Sequence, residues 1–111
     1  MAVYTILRQN NHDYSEAEKH GKVQFLFPLG VNVVNTKLIV DSARNWFKDF
    51  DFGEDYFLPV GGPVVVSLVS MCLFEEMYDT FHEAVNLLDW DKHQQTYIVR
   101  TVEYPQDEKD D

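Results

Sequence analysis

The chain has 111 residues, 45% apolar and 14% aromatic, which suits one folded domain with one core and is too rich in large apolar side chains for a disordered segment. Nineteen acidic residues against nine basic ones give a formal charge of −10, and no stripe of Lys or Arg reverses the sign locally. Binding to nucleic acid or to an anionic membrane surface is therefore not expected, whereas a protein partner is compatible with the charge.

The chain predicts a folded domain over 1–104 and an acidic, disordered tail over 105–111. Val3–Arg8 is rich in β-branched and aromatic residues and reads as a strand, stopped by Gln9-Asn10-Asn11. Ser15-Glu16-Ala17-Glu18 has the form of a capping box, so a short helix to about His20 is expected, ended by Gly21. Val23–Phe27 is a second strand, stopped by Pro28, and a loop with a turn at Gly30 follows.

Asn35 or Thr36 caps a second helix to about Phe50, whose apolar positions Ile39, Ala43, Trp46, Phe47 and Phe50 share one face. Asp55–Val60 reads as a third strand, although Pro59 fits a ladder poorly. Gly61-Gly62-Pro63 opens a third helix to about Tyr78, with proline suited to the first turn. The apolar run Val60–Phe74, closed by Glu75 and Glu76, falls short of the ~20 residues of a membrane span and reads as a buried core helix. Ala84–Asp89 and Thr96–Tyr104 are two further strands, joined closely enough to form an antiparallel hairpin.

The resulting alternation of strands and helices predicts a three-layer α/β sandwich. Its five-stranded sheet is mostly parallel, in the order 2-1-3-4-5, with an antiparallel last strand and helices on both faces. The runs Phe25–Phe27 and Val85–Leu88 suit strands covered on both sides.

His12-Asp13-Tyr14-Ser15-Glu16-Ala17-Glu18-Lys19-His20-Gly21, with Asp55-Tyr56-Phe57-Leu58 before the apolar helix and Asn86-Leu87-Leu88 near the end, resembles a small family of proteins from tailed-bacteriophage and prophage genomes. The resemblance covers most of residues 3–104 and implies a phage origin; it implies no chemistry. Gly61-Gly62-Pro63 departs from the polar residues usual there.

In an open parallel sheet, ligands bind beyond the carboxyl ends of the strands where strand order reverses. That point brings together the loops Asn10–Ser15 and Gly61–Pro63, so His12, Asp13, Tyr14, Ser15, Gly61 and Gly62 are the candidate ligand-binding residues. Capping and turn chemistry account for several of the same residues, no Lys or Arg lies in either loop, and no nucleotide motif is present. No catalytic residue is assigned. His12 beside Asp13 is not an oriented acid–base pair, and Cys72 reads as a core residue. Asp89, Asp91 and His93 fit a polar turn better than a metal site. With a single cysteine and four histidines lacking ligand spacing, no metal or cofactor is expected.

The large aromatics Trp46, Phe50, Phe52, Tyr56, Tyr78, Phe81 and Trp90 are many for so small a core, and unhidden ones mark interfaces. The last strand is also an open edge able to pair with its copy. Tyr97, Val99, Trp90 and Phe81 are the candidate interface residues. The chain accordingly reads as a non-enzymatic accessory protein that forms a homodimer or binds a host or phage protein. A small-molecule or anion site at the two loops is the second reading, and an acidic mimic of nucleic acid the third. Met1 leads directly into the first strand without a signal-peptide pattern; together with the lone Cys72 this predicts a reducing, cytoplasmic setting in an infected bacterium.

Overall fold

A computed structural model describes residues 1–8, 13–28 and 35–103. Five strands form one sheet: β1 (Ala2–Leu7), β2 (Lys22–Phe27), β3 (Tyr56–Leu58), β4 (Ala84–Asp91) and β5 (Thr96–Glu103). Their order is β2-β1-β3-β4-β5; β5 runs antiparallel to β4 and the remaining pairs are parallel. Two α-helices, α1 (Thr36–Trp46) and α2 (Pro63–Asp79), connect β2 to β3 and β3 to β4. This is the α/β architecture and strand order expected from the alternation of patterns. The expected turn at Gly30, the segment Gln9–His12 and the tail with Tyr104 lie outside the described residues.

Alternation along β1 divides the core. Ala2, Tyr4 and Ile6 join Ile39, Ala43, Phe47, Phe57, Val65, Val69, Leu73, Met77 and Val85 beneath both α-helices. Val3 points the other way, toward Tyr14, Ala17, Leu58, Leu88 and Tyr97. Tyr4 sits against Trp46, Phe47 and Phe50, with ring centroids 4.7, 6.1 and 4.9 Å away. Offset and edge contacts of this kind add to the area these rings bury, so the junction of α1 with the sheet is a main anchor of the fold.

Both α-helices lie on one face. Among the described residues the opposite face carries only a 3₁₀ turn (Ala17–His20) and the residues leading into it, so the third layer there is a single turn thick. The Ser15–Glu18 capping box does not close: the cap position is Glu16, without a side-chain cap bond. Its carboxylate is taken instead by Thr96 Oγ1 (2.8 Å) and Lys19 Nζ (3.0 Å), a long-range tie to β5 that local spacing could not disclose. Gly21 follows at φ 152°, and a Cβ there would lie 3.0 Å from the Met1 carbonyl group. β2 is an edge strand whose Phe25 and Phe27 are half-buried, which corrects the expectation of a strand covered on both sides.

β3 is shorter than its apolar run. The buried Asp55 carboxylate accepts the Ala2 N–H (2.8 Å) and the Asp51 N–H (2.9 Å), which fixes the turn before the strand. Pro59, lacking an N–H, ends the ladder. Asn35 caps α1, its Oδ1 accepting the Leu38 N–H at 3.1 Å, and Pro63 opens α2, both as the sequence indicates.

Candidate functional site

The reversal of strand order falls between β1 and β3, so the carboxyl ends of these strands do meet where a ligand crevice was expected. His12 lies outside the described residues. Tyr14 is buried; its hydroxyl donates to the Leu7 carbonyl at 3.2 Å and its ring packs edge-on against Phe25. Asp13 Oδ1 accepts the Ser15 N–H at 2.9 Å, closing a local turn in which both residues are exposed. Gly61 has φ 149°, and exposed Gly62 precedes α2 without a side-chain cap. Tyr14 and Asp13 thus stabilise the chain's own backbone.

The same end of the sheet gathers residues that the sequence assigned to different roles. Tyr97 is buried beside Trp90, centroid to centroid 5.0 Å, and its hydroxyl is pushed to higher pKa by burial, then by Tyr14 and Asp13. Tyr97 is therefore a core residue of the thin face, whereas Trp90 and Val99 are partly exposed. Asp89 pairs with Arg100 (2.6 Å), and Asp91 Oδ1 accepts the N–H groups of His93 (2.9 Å) and Gln94 (3.3 Å). The carboxylates at 89 and 91 thus hold the hairpin.

Of the seven aromatics singled out in the sequence, Phe50 and Phe52 are buried, Trp46 and Tyr56 half-buried, and Tyr78, Phe81 and Trp90 exposed. Two of the exposed three belong to one surface. From Val64 to Phe74, α2 carries apolar residues on every side. Val65, Val69, Cys72, Leu73 and Met77 face the sheet, while Val64 (67% exposed), Met71 (68%) and Tyr78 (62%) project outward. A helix of this character in a small domain is expected to be enclosed, so the open side needs another explanation. The reading of Val60–Phe74 as wholly buried is thereby corrected: the sheet and α1 cover one flank of α2 and reach no further.

Between α1 and the outer side of α2 lies a groove of about 550 Å³, lined by Val40, Leu68, Met71, Cys72, Phe74 and Tyr78. Arg44 also borders it and is held by Glu75 through two hydrogen bonds of 2.8 and 3.3 Å. Glu75 keeps the guanidinium charged, raising its pKa further. The Cys72 thiol is pushed up by burial and lies 3.8 Å from the Val40 carbonyl, so it is a poor nucleophile.

The C-terminus of α2 carries the most informative residue. The His82 N–H donates to the Met77 carbonyl (3.0 Å) and the Phe81 N–H to the Tyr78 carbonyl (3.2 Å), the Schellman pattern that ends many helices. Its left-handed position, normally glycine, is Phe81, at φ 62° and 91% exposed. A bulky side chain there is strained by about 1–2 kcal/mol, and with so little contact this fold recovers almost nothing from it. Sequence reading singled out Phe81 for its size; Val64, Leu68 and Met71 were missed. The signal for two of them is the seven-residue spacing of Val64, Met71 and Tyr78, hidden in a run that is apolar at every phase.

Among the described residues no helix is long and apolar enough to cross a membrane. No curated protein and no solved structure matches the chain. A family model does match, over residues 4–104, which takes in all five strands but the first two residues of β1, and both helices. The chain belongs to the phage Pam3 gp32-like protein family.

Proposed function

We propose that this phage protein works by binding another protein chain through the outer face of α2 and the turn that follows it, rather than by catalysis. Phe81 carries the reading. A strained, exposed aromatic at a glycine position costs the isolated fold stability, and strain of this kind persists where function uses it. Val64, Met71 and Tyr78 continue the same apolar surface from that turn along the helix. Aromatic and methionine side chains flanked by a polar rim are the composition expected of an interface centre.

The test is site-specific photo-crosslinking in phage-infected cells, with the photoreactive residue at position 71 or 81 and, as control, at exposed Lys22 on the far edge of the sheet. A discrete product from 71 and 81, absent from 22, is expected. If 71 and 81 give nothing beyond the control, the surface is not an interface and the reading falls.

A further inference from the structure

Resting on that reading, we propose that the occupant of the α2 face is a second copy of this chain, docked with the two α2 helices antiparallel and the two-fold axis at Met71. The outward residues are arranged for it. With Met71 opposite Met71 of the copy, equal and opposite steps along the two helices set Val64 against Tyr78 and Leu68 against Phe74, each pair occurring twice, and bring Phe81, just past the end of one helix, toward the segment that precedes the other. Both of these apolar pairings join a smaller residue to a larger one. A Cβ built on Gly62 in that segment meets nothing within 4 Å, so space lies open where Phe81 of the copy approaches.

Charge also favours this orientation. Pro63–Phe74 contains no charged residue, and Glu75, the first charge after it, is already paired with Arg44 of its own chain, so docking brings no unpaired ion into the centre of the contact despite the net charge of −10. α2 has no acidic residue in its first turn and no basic residue in its last, and its acidic groups, Glu75, Glu76 and Asp79, all sit toward its C-terminus. Against its own helix dipole that distribution is unfavourable. Antiparallel docking sets the acidic end of each helix beside the N-terminal end of the other, where negative charge is stabilised. A parallel pair would leave both acidic ends together.

Val64, Met71, Tyr78 and Phe81 together expose an area on the order of 600 Å² per chain, given that aromatic side chains bury about 150–250 Å² each. Doubling it gives roughly 1,200 Å² for the pair, the lower bound of specific interfaces. The dimer should thus dissociate on dilution. Because two chains of like charge repel, added salt should tighten it, opposite to an interface held by ion pairs.

The experiment is sedimentation equilibrium over a range of protein and salt concentrations, with oxidative cross-linking in a Cys72→Ala background. Wild-type protein is expected to form a dimer strengthened by salt, and Met71→Glu, which sets two carboxylates at the axis, to weaken it roughly a hundredfold. Met71→Cys should cross-link to itself. Val64→Cys should not, its two copies being about 21 Å apart along the helices, but a mixture of Val64→Cys and Tyr78→Cys should. A dimer unaffected by Met71→Glu, or one trapped through Val99→Cys on the β5 edge instead, overturns the proposal. So does a wild-type chain that stays monomeric throughout and gives no Met71→Cys cross-link. If that monomer still photo-crosslinks from position 71 to a different protein in infected cells, the α2 face remains an interface; if it does not, that reading falls as well.

Discussion

Replacing Phe81 by glycine separates what the residue does for the fold from what it does for a partner. The native φ of 62° lies in the left-handed region, where a side chain other than glycine costs about 1–2 kcal/mol. Glycine removes that strain and gives back about 0.5–1 kcal/mol through the greater freedom of the unfolded chain. At 91% exposure the ring has almost no packing to lose. The net expectation is a stabilisation of about 0.5–1 kcal/mol, a rise in Tm of roughly 2–6 °C for a domain of this size. Phe81→Ala keeps the strain and should leave stability close to wild type. The measurement is urea unfolding followed by tryptophan fluorescence at high dilution, where self-association contributes nothing to stability. Phe81→Gly should at the same time weaken whatever the α2 face binds. A Phe81→Gly chain less stable than wild type under these conditions would refute the reasoning, because it would mean that the ring packs within its own fold.

Asp55→Ala should destabilise the protein by about 2–4 kcal/mol, since it strands the Ala2 and Asp51 N–H groups that the carboxylate now accepts; Asp55→Asn, which keeps one acceptor, should cost less, and equilibrium unfolding distinguishes them. Gly21→Ala combines a φ of 152° with a Cβ 3.0 Å from the Met1 backbone, and a loss of about 1–3 kcal/mol is expected in the same assay. Burial raises the pKa of Tyr4 and Tyr97 above the ordinary 10.0, so their contribution is intact below about pH 10 and declines above it, as unfolding frees the phenols to ionise. Stability followed across that window should fall, and should fall less in Tyr4→Phe and Tyr97→Phe.

The α/β class and both long helices could be read from the sequence because their causes are local, whereas the strand order was the common arrangement of that class and not a local signal. β-branched runs, the Asn35 cap, the Pro63 start and the spacing of Ile39, Ala43 and Phe47 each act within one element. Where a distant group competed, local reading failed. Glu16 is taken by Thr96 and Lys19 and not by a capping box, and Phe25 is only half-buried because, among the described residues, β2 takes the edge of the sheet. The surface was least legible. An apolar helix shows the same composition whether it is enclosed or half open, and only its placement against α1 and the sheet decides that Val65 and Val69 are covered while Val64 and Met71 are not. Phe81 could be named from its size alone. That it occupies a left-handed helix end, strained and facing solvent, follows from how α2 terminates in space, because backbone strain and exposure are properties of the folded chain and not of its composition.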